Sequence, residues 1–324
     1  MREPHYRQAL SFAWRHTIKH PFLWVYGMFA AILGQMGVFD FLTRAYLGVT
    51  QGVEIGALFS VRKGLFFGLL NSQNLILPSS WVWILWLVVC ALGVAAFFII
   101  TAVVSQGALI HASAKSIMHP ESFKADTRAW HAGVSHFWRL FFLQVVQKGL
   151  IGLLILLVGG GALSALVIGS PASRILFLVL FLFSVFLGVI VSFLTQYTAG
   201  YIVVEDYPLG DALHAGYRLF REHWLVSLEF GALLAIANVG LALAVVVGFF
   251  LLLVPVVLFW FIATVTSISG LFVAGFGFLV LVFVAFLLLL SATFTVFSTT
   301  TWTYLFMKMH REGVSSRFLR WLRV

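Results

Sequence analysis

The chain is short of charge and has one cysteine. Only 10% of its 324 residues are Asp, Glu, Lys or Arg, where a soluble domain carries about 25%. That scarcity excludes an ordinary soluble globular fold, and a mean hydropathy of +1.05 agrees. Cys90, alone, excludes an internal disulfide and a cysteine-built metal site. No HExxH helix, CxxCH, P-loop, GxGxxG or Ser/His/Asp set is placed convincingly, so zinc hydrolysis, haem attachment, nucleotide binding and triad chemistry have no residues to carry them. The expectation is a non-enzymatic protein with no cofactor and no metal. His16 and His20, His131 and His136, and His111 and His119 are close in sequence. No acid is arranged with them as a metal helix requires, so they read as interfacial histidines.

What the chain has in abundance is apolar surface. Hydrophobic residues make up 62%, with 34 Phe and 11 Trp. The tryptophans sit near the ends of apolar runs, at Trp81, Trp83, Trp86, Trp138, Trp224 and Trp302, where a membrane–water interface holds them. The first basic stretch, Met1–Pro21, is long and amphipathic and no small-residue cleavage site follows it, so it does not read as a signal peptide. A span needs about 20 apolar residues. Runs that meet this cover about Phe22–Phe39, Trp81–Ile110, Phe137–Ile168 and Ile175–Val204. Trp224–Met307 is then apolar almost throughout, punctuated by Pro255 and Thr264–Gly270.

Charge sets the count in that last stretch. Both termini are basic and belong in the cytoplasm, so the number of crossings is even, and six is the expectation. Leu251–Ile262 is then a continuation of span five or a shallow re-entrant piece. With six spans, 16 of the 20 Lys and Arg and all ten His lie on the cytoplasmic side; only Arg44, Arg62, Lys63 and Arg174 lie outside. The net charge of +9 is thereby explained by orientation and by anionic lipid headgroups, and nucleic acid is not an expected partner. Asp40–Ser80 is the one sizeable extramembrane loop. Its Gly48, Gly52, Gly56, Ser60, Gly64 and Gly68 form either a close-packing helix face or a glycine-rich interfacial loop with Phe66, Phe67 and Leu69 in lipid.

An internal repeat supports the count. Ala9–His20, before span one, aligns without gaps with Ala212–His223, before span five. Ala129–Trp138, before span three, shares His-Ala-Gly (131–133) with residues 214–216. Ser105-Gln106 and Thr195-Gln196 are similar pairs near the ends of spans two and four. The fold class expected is all-α: a polytopic membrane bundle of six long helices in three helix-pair repeats, each opened by a cytoplasmic amphipathic helix. The units run about 5–112, 121–204 and 206–308 within one membrane domain, 1–324, with a basic cytoplasmic tail over 309–324. In the third copy Leu209, Leu213, Gly216, Phe220 and Trp224 recur at helical spacing, Asp206 and Pro208 suit a helix start, and Arg218 and Glu222 stand one turn apart to pair. Candidate interfacial anchors are Arg15, Lys19, His20, His131, His214, Arg218, His223 and Trp224. Such helices lie in the interface or form cytoplasmic extensions packed on the bundle.

The run from Ala199 to Trp224, AGYIVVEDYPLGDALHAGYRLFREHW, resembles a recurring pattern: an apolar "ivv" ending, an acidic turn, then an amphipathic helix opening the next span. It is similar to the membrane domain fused to some bacterial glycerophosphodiester phosphodiesterases and to YciC-type inner-membrane proteins. The resemblance covers about 25 residues well and the rest loosely. It implies an all-helical integral protein of a bacterial inner membrane. It implies no activity, because the phosphodiesterase chemistry belongs to a separate soluble barrel, and no acidic metal cluster stands in for it here.

Glu229 is the sharpest candidate for a site, since an ionisable group inside a span is costly and faces the bundle or a wet cavity. Aligning the His-Ala-Gly triplets sets it level with Val146, beside Gln147 and Lys148, with Gln144 near and Asn238 further along span five. Either Lys148, Gln147, Gln144, Glu229 and Asn238 form a substrate or proton site near the cytoplasmic leaflet, or Lys148–Glu229 is a structural pair fixing helix register. Gln35, Gln106 and Gln196 read as bonds between helices, and Pro255 as a possible helix break. The function expected is an accessory one: organising membrane, or binding anionic lipid or a membrane-protein partner. The alternative is a small transporter or lipid-moving protein.

Overall fold

The computed structural model describes residues 6–31, 78–118, 128–266 and 269–312. These form eight α-helices: α1 (Tyr6–Lys19), α2 (Leu23–Ala31), α3 (Pro78–Met118), α4 (Arg128–Ser135), α5 (Phe137–Ile168), α6 (Pro171–Val204), α7 (Leu209–Thr266) and α8 (Ser269–Glu312). No strand occurs among the described residues. Five of the helices, α3 and α5 to α8, are long and apolar enough to cross a membrane. The run expected as the first span is described only as far as Ala31, in α2. The loop with its glycine stripe, Gln35 and most of the basic tail lie outside the described residues.

Short helix and long helix meet at a break three times, and each break has a local cause. Between α1 and α2 stands His20-Pro21-Phe22; Pro21 removes an amide donor and its ring turns His20 away from helical geometry. Between α4 and α5 a single turn residue, His136, intervenes. Within α7 the break is a kink, where His223 leaves helical geometry (φ −127, ψ 30). Trp224, expected to open span five, follows that kink directly. The helix then runs unbroken through Pro255 to Thr266, so Leu251–Ile262 continues the same helix. The acidic turn before α7 departs from the expected start: Asp206 takes a left-handed conformation (φ 56) in the turn that ends α6, and α7 begins after Pro208.

The chain divides into two compact units. One gathers Met1–Met36, Ala102–Phe137 and Gln196–Val324; the other gathers Gly37–Thr101 and Trp138–Thr195. In the first, α1 and α2 pack on α8, and α8 pairs with α7. Leu23, Tyr26 and Ala30 join Ala108, Leu109, Ala112, Ala129 and Val296 in one buried cluster. The burial pattern along α3 changes abruptly: every residue from Leu85 to Ile100 is exposed, and every one from Thr101 to Ile110 is buried. In the second unit Gly161 of α5 sits against Phe177 and Leu180 of α6.

The short helices are seated by small residues. On α1 the buried face is Ala9, Ala13, His16 and Thr17, at helical spacing. On α4 it is Ala129 and Gly133, and on α7 before the kink it is Ala212, Gly216 and Leu219. That last face shares Gly216 with the stripe expected at Leu209, Leu213, Gly216, Phe220 and Trp224, of which Leu209, Leu213 and Phe220 are half-buried and Trp224 is exposed. A β-carbon on Gly133 would lie 3.1 Å from the backbone nitrogen of Ala108 and against the carbonyl of Val104. One on Gly216 would lie 2.8 Å from Thr198 Oγ1 and 3.2 Å from the Thr198 nitrogen. Gly133 and Gly216 are the matched glycines of the two His-Ala-Gly triplets. Ala108 and Thr198 each stand three residues after the matched Ser105 and Thr195.

Candidate functional site: a polar seam and its interfacial helices

Polar groups concentrate in the first unit, where the short helices meet the ends of the long ones. Several of them bond one helix to another. Ser113 of α3 bonds Thr300 of α8 (3.0 Å). Ser116 of α3 bonds Nδ1 of His16 in α1 (3.0 Å). Tyr197 of α6 bonds Ser227 of α7 (2.6 Å), and Ser227 itself donates to the carbonyl of His223 at the kink (3.0 Å). Trp24 Nε1 of α2 donates to the carbonyl of Thr17 in α1 (2.9 Å), tying the two across Pro21. In apolar surroundings such bonds hold helix register, because the alternative is a polar group with no water to satisfy it.

The acidic turn is the second focus. His136 Nε2 lies 3.1 Å from Asp206 Oδ1, and its Nδ1 lies 2.6 Å from the carbonyl oxygen of Ala132. Ser135 Oγ also lies 3.0 Å from Nδ1, so both ring nitrogens have partners. Next along the turn, Glu205 Oε1 lies 3.7 Å from His310 Nε2, while His310 Nδ1 is 3.2 Å from the Tyr201 hydroxyl. The turn therefore links the ends of α4, α6 and α8 at the start of α7. The sequence reading missed Tyr201, Glu205 and His310 as partners. Its available signal was an acidic pair placed just after a span in a chain otherwise poor in acids.

His16 is the buried titratable group outside the spans. Burial, and then the neighbouring His20 (ring centres 4.9 Å apart), hold its pKa down at about 4. His20 is lowered too, by partial burial first and by Lys19 second. Phe12 stacks on the His16 ring at 5.9 Å.

The anchors divide by exposure. Arg15, Lys19, His131, His214, Arg218 and Trp224 are exposed; His20 and His223 are half-buried at the breaks. Arg218 Nε donates to Glu222 at 3.2 Å, as the spacing of four predicts. Each short helix also exposes aromatic surface beside its cations: Trp14 on α1, Trp130 on α4, Tyr217 and Trp224 about the kink of α7. The candidate intramembrane residues belong to two helices. Glu229 is half-buried and Asn238 buried on α7, in the first unit. Gln144 is buried, Gln147 half-buried and Lys148 exposed on α5, in the second. A recess lined by Gln196, Tyr197, Thr299, Trp302 and Thr303 among others has a volume of about 10 Å³, room for roughly one water. Among the described residues no group of three His, Cys, Asp or Glu is placed to hold a metal ion.

Helices of this length and apolarity, capped by aromatic and basic helices, define a multi-pass membrane protein. No family model, curated protein or solved structure matches the chain.

Proposed function

We propose that the protein is a non-enzymatic accessory component of a bacterial inner membrane, with both termini cytoplasmic, that binds anionic phospholipid through its three interfacial helices. The observation that carries this reading is the division of labour on those helices. Small residues seat one side on the bundle, while Trp14 with Arg15 and Lys19, Trp130 with His131, and Tyr217 and Trp224 with Arg218 and Arg221 face outward. An aromatic beside cations suits the headgroup region, where each basic residue near an anionic surface contributes about 1 kcal/mol. The six-span, three-unit organisation is part of the same proposal. It is supported by the three breaks at His20, His136 and His223, and by the seating of Gly133 and Gly216 on matched positions 108 and 198.

A second reading, a small transporter or lipid-moving protein, draws on the amides Asn238 and Gln144 buried in apolar helices and on half-buried Glu229. One experiment separates the two. Native mass spectrometry is run on protein released from its own membrane in mild detergent, as wild type, as Arg15→Gln/Lys19→Gln/Arg218→Gln/Arg221→Gln, and as Glu229→Gln. Loss of retained anionic phospholipid in the fourfold variant alone is expected. Retention unchanged in that variant, with a small molecule lost from Glu229→Gln, would sink the accessory reading and establish the second.

A further inference from the structure

The hairpin of α7 and α8 is too long for the membrane it crosses. From Trp224 to Thr266, α7 extends about 64 Å at 1.5 Å per residue, and α8 is 44 residues long. A hydrocarbon core is about 30 Å thick. A helix at the steep end of observed tilts, about 40°, needs only about 39 Å to cross it. Roughly 25 Å of each arm is therefore surplus by that arithmetic. In the other hairpin α5 is 32 residues and α6 is 34, about 48 and 51 Å, a surplus of only about 10 Å on the same basis.

The surplus is built as carefully as the rest. A β-carbon on Gly248 of α7 would lie 2.5 Å from ring carbons of Phe286 in α8. One on Gly275 of α8 would lie 3.0 Å from Cβ of Phe259 in α7. Phe249 and Phe283 meet at 5.2 Å, and Phe259 and Phe278 at 6.0 Å. Flat glycine patches thus receive aromatic rings on both sides of Pro255. The sides turned away from this seam carry Leu251, Val254, Leu258, Phe261 and Val265 on α7, and Phe276 and Leu281 on α8, all exposed. No Asp, Glu, Lys or Arg occurs between Glu229 and Lys308.

Those features identify the covering. A docked soluble partner covers one face and leaves a polar face to water, and this hairpin has no charged face to leave. Continuity with the span and apolarity all round match acyl chains. We propose that the α7–α8 hairpin is clothed in lipid chains along its whole length, and so selects and gathers long-chain phospholipids into a locally thickened bilayer. The inference rests on the membrane reading above but not on headgroup charge, so it is tested in zwitterionic lipid.

Full-length protein carrying Cys90→Ser with either Leu258→Cys or Phe276→Cys is reconstituted in phosphatidylcholine vesicles whose chains have fourteen, eighteen or twenty-two carbons. Labelling by a membrane-impermeant maleimide is then measured. The expected result is a drop of about tenfold from the thinnest to the thickest bilayer, as mismatch is relieved. Equal labelling in all three overturns the proposal, because the tip then projects into water whatever the thickness. Equal protection in all three also overturns it, because thickness then does not matter. Labelling in the thickest vesicles with protection in native membranes assigns the covering to a protein and overturns it as well. Wild-type protein extracted from mixed eighteen- and twenty-two-carbon vesicles gives a second reading without substitutions: the longer lipid is enriched in the retained shell, and an unenriched ratio counts against the proposal. Loss of anionic lipid binding, by contrast, would leave all these readouts unchanged.

Discussion

At the scale of single residues, His16 shows how position sets protonation. His16 is buried against Ser116 and Phe12, and its lowered pKa favours the neutral ring in the folded state. The unfolded chain takes up its proton near the ordinary histidine value of about 6.5. Between there and about 4, the unfolded state binds more protons, so stability falls as pH falls through that window. Acidification from pH 7 to 4.5 is expected to loosen α1 from α3 and α8, raising amide hydrogen exchange over Ala9–Lys19 ahead of the long helices. His16→Gln, which keeps a hydrogen-bonding amide toward Ser116 and has no titratable ring, should flatten that pH dependence; an unchanged profile would remove His16 as its cause.

At the scale of elements, the acidic turn and the three breaks matter most. Asp206 is left-handed there, a conformation Asn tolerates and a β-branched residue does not. Asp206→Asn keeps the backbone and one acceptor for His136, and Asp206→Val keeps neither. Thermal unfolding in detergent is expected to show little change for Asn and a loss of about 1–3 kcal/mol for Val. Equal effects would mean that the turn's conformation contributes nothing. Much of this level was legible in the sequence. The Arg218–Glu222 pair follows from helical spacing, and the apolar runs set to start at Phe22, Phe137 and Trp224 begin beside the observed breaks. The pairing of Glu205 and Asp206 with His310 and His136 was not, because partners 70 and more residues apart are chosen by packing that no local period encodes. On α7 the expected stripe held Gly216 but not its buried neighbours Ala212 and Leu219. Hydropathy cannot tell an apolar side turned to lipid from a small-residue side turned to protein, and Gly216 packs on the second.

At the scale of the whole molecule, basic residues are the orienting signal of the proposed topology, in which both ends of the chain lie on one side of the membrane. Green fluorescent protein fused at either terminus should fluoresce, since it matures in a bacterial cytoplasm and fails to after unfolded export. A dark C-terminal fusion beside a bright N-terminal one would make the crossing number odd. The sequence could set that parity from charge but not the lengths of the last two helices. Pro255 invited a break, and packing of Gly248 and Gly275 against phenylalanines accompanies an unbroken helix on either side of it.

That same hairpin bears on the order in which the protein assembles. Its seam joins residues near one another in sequence, on arms separated by a connection of two residues, so little loop entropy opposes its closure. The bond between Ser113 and Thr300 spans 187 residues and waits for α8 to emerge. Synthesis therefore delivers α7 and α8 as a ready-made pair, and α1 and α2, made well before α8, gain their packing surface on it only then. Until that point both helices are without the neighbour that finally holds them.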